Sequence, residues 1–220
     1  MTGAFGPLPR VTLKLATSLD GRIATASGES RWITGEAARA QVQLLRASHD
    51  AVVVGAGTAI ADNPLLTART DPPPAAQPWR VVFDRGLRVA PTLRLFQSTG
   101  QGPVALVTAG EAQAFAAFGV TVVRCDRAAS ATAMLGALGA VTRVRSLLVE
   151  GGGVLAAALM AEGRVDRLEW FRAPLVLGGE GRSAVGPLGL ERLSEARRFR
   201  RIAAAELGED LHETYVPAEQ

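Results

Sequence analysis

Residues 147–160 read LLVEGGGVLAAALM: an apolar triplet, a glutamate, three glycines and an alanine-rich run. Leu147-Leu148-Val149 has the length and composition of a short buried strand, and Val154 to Met160 those of a helix. Consecutive glycines let the backbone approach a ligand closely, and the first turn of the helix that follows carries N–H groups with no partner inside the helix. Those donors, together with the helix dipole, suit a phosphate or pyrophosphate. A strand turning sharply into a helix is the repeating unit of an α/β sheet, whose ligands gather at the C-terminal ends of its strands. Glu150 stands at that edge. The turn lacks the G-x-G-x-x-G fingerprint, and a glycine corner by itself fits tight packing equally well.

Working outward, Val11 to Thr17 alternates like a strand, and Ser18-Leu19-Asp20-Gly21 reads as a turn into a further extended piece, 22–25. Residues 35–48 have helical periodicity, with Thr34 as a candidate N-cap. Ala51 to Gly55 is a buried-strand run that passes through Gly57 and Thr58 into a short helix, stopped near Asp62-Asn63-Pro64. A proline-rich connector occupies 71–78. Strands are expected at 80–83, 103–108 and 120–123, and helices at 111–118 and 130–139. The tail, 165–176 and 199–216, reads as several antiparallel strands. The pattern predicts an α/β fold of three layers, with a mostly parallel central sheet and an antiparallel C-terminal edge. One domain over 11–217, behind a short N-terminal extension of residues 1–10, is the simplest division.

The totals limit the function. The 220 residues are 48% hydrophobic and 20% charged, with a net charge of +3, which suits a compact enzyme-sized domain and not a disordered chain. No apolar run is long enough to span a membrane, and Met1 to Arg10 shows no secretory signal. The single cysteine, Cys125, cannot form an internal disulfide and fits a reducing, cytoplasmic setting. With only His49 and His212, a His/Cys zinc site is not expected. Arg197, Arg198, Arg200 and Arg201 form the one dense basic cluster. Without a reader motif it reads as a solvated edge, so no nucleic-acid partner is expected. Scattered arginine suits a small anionic ligand better than a polymer.

Lys14 is the only lysine among 24 basic residues. Set in an apolar alternating strand, it suggests a task that arginine cannot perform, since lysine is a compact charge whose pKa responds to burial. A second constellation is Ser30-x-Trp32-Ile33-Thr34, Arg46, and then Thr58 with Asp62-Asn63-Pro64-Leu65-Leu66-Thr67-x-Arg69. A hydroxyl with guanidinium forks is what a phosphate monoester requires, and Trp32 offers a flat face with one N–H. Each member also has a structural reading: Thr58 and Asp62 as helix caps, Trp32 as core, Arg46 as a helix-surface cation. The weight lies in the combination.

These strings, KLATSLDGR from Lys14, GESRWIT from Gly28, Gly57-Thr58 with DNPLLTAR from Asp62, Val149-Glu150-Gly151-Gly152 and APLVLGG from Ala173, resemble the reductase domain of riboflavin biosynthesis. The resemblance runs over nearly the whole chain in the same order. It implies a dihydrofolate-reductase-like fold, a homodimer, and NADPH-dependent reduction of the ribosyl group of 5-amino-6-(5-phosphoribosylamino)uracil to the ribityl form. It also implies NADPH contacts at Ala16, Trp32, Thr58, Asp62 and the turn Gly151, Gly152, Gly153, Val154. Substrate contacts are implied at Ser30, Arg46, Leu66, Arg69 and Glu150, with Ser30, Arg46 and Arg69 near the phosphate. Lys14, Asp20 and Glu150 would face the chemistry. Arg85, following the strand that ends at Asp84, is a candidate for the cofactor 2′-phosphate.

Many bacterial members of that family carry a zinc deaminase ahead of the reductase, with an H-x-E and P-C-x-x-C signature. The Cys and His content here cannot supply it, so deamination is expected from another polypeptide. Two other functions compete. A pterin reductase (dihydrofolate or dihydromethanopterin type) on the same fold would not need Ser30, Arg46 and Arg69 together. A non-catalytic NADPH sensor would bind cofactor without turnover.

Overall fold

The structure, a computed structural model, describes residues 8–218. Its elements in chain order are β1 (Arg10–Thr17), β2 (Arg22–Ala24), α1 (Glu36–Ala47), β3 (Ala51–Gly55), α2 (Ala56–Asp62) and β4 (Trp79–Phe83). These are followed by α3 (Arg94–Gln97), β5 (Val104–Thr108), α4 (Gln113–Ala116), β6 (Thr121–Arg124), α5 (Ala131–Thr142), β7 (Ser146–Glu150) and α6 (Gly153–Ala161). The last are β8 (Arg167–Arg172), β9 (Arg182–Ser183), β10 (Phe199–Leu207) and β11 (Asp210–Pro217). The chain divides into two compact units, one of residues up to Arg10 with Gln43–Val149, the other of Val11–Val42 with Glu150–Gln220. Among the described residues no helix is long and apolar enough to cross a membrane.

In the first unit the strands lie in the order β7-β3-β4-β5-β6, all parallel. Parallel strands covered on both faces read as unbroken apolar runs, and Ala51–Gly55 and Val104–Thr108 are buried almost throughout for that reason. Helix α2 ends where Asn63 takes a left-handed conformation (φ 41), just before Pro64 bars continuation. Ser130 caps α5 by accepting the amide of Ala133. One core cluster gathers Val54, Ala59, Leu66, Val82, Leu95 and Phe96, with Phe115 edge-on to Phe96 at 4.9 Å. The helix expected over 111–118 is one turn only, because it tightens through Phe118 N–H to Phe115 O and ends at Gly119 (φ 73). Helix α3 has no counterpart in the sequence reading. Four residues with a single helical turn leave no periodicity to detect.

The second unit has the order β10-β11-β8-β1. β10 and β11 form an antiparallel hairpin closed at Gly208 (φ 68), and β11 is antiparallel to β8. β8 itself runs parallel to β1, a departure from the all-antiparallel tail expected from sequence. It enters after helix α6, and a helical crossover delivers a strand in the parallel sense, whereas a tight turn reverses it. β2 and β9 pair as a separate ribbon. The fold class is therefore α/β, with a mostly parallel sheet and antiparallel C-terminal strands.

Candidate active site

The register of β1 sets what surrounds Lys14. Lys14 stands opposite Glu169 and Ala16 opposite Phe171, and β8 in turn places His212 beside Phe171 and Thr214 beside Glu169. Register partners share a face of the sheet, so these side chains form one layer. The Lys14 Nζ lies 5.8 Å from the centroid of the Phe171 ring, close enough for a cation–π contact. Behind it the His212 imidazole stacks on Phe171 at 4.2 Å, nearly parallel. The His212 Nε2 is 2.7 Å from Glu169 Oε2, Thr214 Oγ1 donates to the same oxygen at 2.7 Å, and Arg167 Nε donates to Oε1. Burial alone would push the Glu169 carboxyl up. The hydrogen bonds from His212, Arg167 and Thr214 outweigh it and hold the group below the ordinary carboxylate value. The layer beside Lys14 is therefore hydrogen-bonded and ionic.

Asp20 closes the turn after β1. It accepts Ser18 Oγ at 2.5 Å, the Leu177 amide at 3.1 Å and the Gly178 amide at 2.8 Å. The Ser18 bond above all, then the two amides, lowers its pKa to about 2. Asp20 is thus a fixed negative charge that staples the turn to the 177–178 loop, and it holds no proton to donate at neutral pH.

Trp32 is 68% exposed rather than core, with its ring backed by the Arg39 guanidinium at 4.6 Å. Arg39 is itself held, donating to Thr34 O at 2.7 Å. Helix α1 begins at Glu36, and the Gly35 amide before it donates to Asp210 Oδ2 at 2.6 Å. Ser30 and Ala16 are half-buried.

The glycines of the β7–α6 turn serve different purposes. Gly151 (φ 84) and Gly152 (φ 87) sit in the left-handed region that disfavours side chains. A Cβ at Gly151 would meet nothing within 4 Å, so the backbone there is open to approach. A Cβ at Gly153 would lie 2.6 Å from Ser183 O, so that glycine is a packing necessity against the 183–186 segment. No side chain caps α6, and Val154 in its first turn is 84% exposed. Glu150 is half-buried at the end of β7.

The remaining expected residues lie in the first unit. Thr58 and Asp62 are half-buried on α2, Asp62 being its last residue. Leu66 takes φ 58, and its side chain, 2% exposed, belongs to the core, so a ligand would meet only its backbone. Arg46 is buried on α1 and donates through Nη1 to Thr67 O at 3.0 Å. Arg69 is exposed, with its amide donating to Gln43 Oε1 at 2.9 Å. Arg85 is exposed and donates to Ala129 O at 2.8 Å. Sequence reasoning passed over the supports: Gln77, which pairs with both backbone groups of Ala68 at 2.8 Å, and Arg80, wholly buried, which donates to Leu65 O at 3.3 Å. A glutamine in a proline-rich connector and an arginine inside a strand carry no local signal of such a role.

Residues 9–212 match the family model of the RibD C-terminal domain. The riboflavin biosynthesis protein RibD of Actinobacillus pleuropneumoniae is 35% identical over 216 residues, which cover 94% of this chain and 57% of that protein. The chain thus spans little more than half the length of such relatives. A solved structure of Acinetobacter baumannii RibD superposes with a TM-score of 0.85 at 32% identity, covering 96% of this chain and 58% of that one. A Thermotoga maritima diaminohydroxyphosphoribosylaminopyrimidine deaminase/5-amino-6-(5-phosphoribosylamino)uracil reductase gives 0.81 at 29%, covering 96% and 57%. Enterococcus faecalis dihydrofolate reductase, at 13% identity, a TM-score of 0.54 and coverages of 96% and 97%, shares the fold. The matched family model, spanning nearly all the described residues, places this chain in the RibD C-terminal domain family.

Proposed function

We propose that this chain is an NADPH-dependent pyrimidine reductase that converts the ribosyl group of 5-amino-6-(5-phosphoribosylamino)uracil to the ribityl form. The observation that carries this reading is the turn into α6: a left-handed Gly151 open to approach, ahead of a helix that no side chain caps and whose first turn exposes Val154. Such a turn fits the phosphates of a nicotinamide dinucleotide. Gly151, Gly152, Gly153 and Val154 would hold them, with Ala16, Trp32, Thr58 and Asp62 as further contacts and Arg85 toward the 2′-phosphate. When bound, the dihydronicotinamide supplies a hydride to an electrophilic carbon.

The chain's own groups bind charge and manage the proton. The acceptor is C1 of the open-chain ribosyl group as its imine, so that hydride adds to C1, the C1–N bond is kept, and a proton must reach the adjacent nitrogen. Lys14, or a water it holds, supplies or steers that proton. Glu150 positions the substrate hydroxyls or base. Asp20 contributes by holding the 177–178 loop, since its carboxylate is already engaged there. Ser30, Arg46 and Arg69 take the substrate phosphate, and Leu66 contributes its backbone. The protein is proposed to act as a cytoplasmic homodimer, and a single-chain mass in sedimentation velocity would overturn the dimer.

The deciding assay measures NADPH oxidation side by side with the phosphoribosylamino-uracil, its non-deaminated precursor and dihydrofolate. Turnover of the uracil is expected. Turnover of dihydrofolate alone would make the protein a pterin reductase, and cofactor binding without turnover of any of the three would make it a sensor.

A further inference from the structure

The stretch Leu65–Arg69 belongs to no helix or strand, yet its backbone is held by side chains from four directions within its own unit. Leu65 O accepts from Arg80, Thr67 O from Arg46, both groups of Ala68 pair with Gln77, and the Arg69 amide donates to Gln43. The Gln77 contact differs in kind from the others. Its Oε1 accepts the Ala68 amide and its Nε2 donates to the Ala68 carbonyl, both at 2.8 Å, so one side chain acts as a neighbouring strand would.

Gln77 is in turn fixed from behind. Gly102 (φ 134) approaches so closely that a Cβ there would lie 2.7 Å from the Gln77 Cβ. The Gly102 carbonyl accepts from Arg80 Nη2 at 2.5 Å, and Ser98 takes further donors of the same guanidinium. Arg80 is wholly buried with no carboxylate among these partners, so its charge is spent on tying Leu65 and the 98–102 turn to one point. Gly102 and Arg80 position Gln77, and Gln77 positions the residue before Arg69.

We propose that Gln77 is a positioning residue for the substrate phosphate: it fixes Ala68 so that Arg69 presents its guanidinium at one place. The proposal rests on assigning Arg69 to that phosphate. A guanidinium–phosphate fork is directional, and a small displacement of its root forfeits much of the contact.

The test is steady-state kinetics on the full chain with Gln77→Ala, Gln77→Glu, Arg69→Ala and the double variant Gln77→Ala/Arg69→Ala, joined to amide hydrogen exchange at Ala68 and Arg69. Gln77→Ala should raise substrate KM about tenfold with kcat within about twofold, as loss of hydrogen bonds worth about 1 kcal/mol or slightly more would do. Gln77→Glu keeps the acceptor for the Ala68 amide but sets oxygen against oxygen at the carbonyl, so it should fail to rescue. NADPH KM should not move, exchange at Ala68 should quicken, and in the Arg69→Ala background the Gln77 substitution should change KM by less than about twofold. If Arg69→Ala raises KM while Gln77→Ala leaves it or the exchange unaltered, or if the two effects multiply independently, the positioning role is wrong and the phosphate assignment stands. If neither variant raises KM, the phosphate assignment falls and takes this inference with it.

Discussion

At the scale of single residues, the lone lysine and the three glycines make the sharpest claims. Lys14 sits half-buried with its amine 5.8 Å from the centre of the Phe171 ring, on which His212, itself bonded to Glu169, is stacked. Lys14→Ala should lower kcat by about 10²- to 10³-fold, within the usual range for general acid–base groups, with a much smaller change in substrate KM. Lys14→Arg should not restore turnover, because a guanidinium does not give up its proton near neutral pH. Near-normal kcat in the alanine variant would remove Lys14 from the chemistry. The glycines separate by what their missing Cβ would touch. Gly153→Ala drives a methyl against Ser183 O and should cost about 1–3 kcal/mol of stability in urea unfolding, as overpacking does. Gly151→Ala meets open space and should cost only about 1 kcal/mol, for its left-handed conformation, while raising NADPH KM. The reverse order of stabilities would mean the turn has been misread.

At the scale of elements, the turn after β1 is held by the Asp20 carboxylate together with backbone hydrogen bonds, among them Leu19 N–H to Leu175 O and Ala184 N–H to Gly21 O. The folded pKa of Asp20, about 2, lies below its ordinary 3.8. A depressed carboxylate stabilises the fold above the ordinary value, and that contribution is lost as pH falls through the folded one. The melting temperature of the unaltered protein should therefore drop more steeply between about pH 4 and pH 2 than that of Asp20→Asn. Equal slopes would show that the staple carries no ionic contribution. The same turn marks what the sequence made legible. Asp-Gly announced a reversal at Asp20 and Gly21, and apolar runs announced β3, β5 and β7, because a strand buried on both faces writes its burial into every residue. The partners of Asp20 could not be read, since Leu177 and Gly178 lie more than 150 positions away and backbone amides have no sequence signature. Trp32, Ser30 and Arg69 were visible as chemistry-bearing types, but not that Trp32 is exposed with a cation behind it or that Leu66 turns its side chain into the core. β8 was legible as a strand and not in its direction, which depends on the path through α6.

At the scale of the whole molecule, the cofactor reading makes a claim about stability. A ligand that binds only the folded chain stabilises it by mass action, by about 2.7 kcal/mol at a concentration one hundred times its Kd. For a chain of 220 residues each kcal/mol corresponds to about 2–4 °C of melting temperature, so saturating NADPH should raise it by about 5–11 °C. The size of the shift with NADH measures what the 2′-phosphate adds. The net charge of +3 is spread thinly over arginines and gives a general attraction for anions, which cannot by itself separate the two cofactors. A local group must do so. Arg85 commits one donor to Ala129 O and keeps the rest of its five on an exposed side chain, which suits it to a phosphate ester. Arg85→Ala should shrink the NADPH-induced shift toward the NADH value while leaving the NADH shift unchanged. If both shifts fall together, Arg85 supports the fold around β6 and α5 through Ala129, and selection for the phosphorylated cofactor lies with another residue.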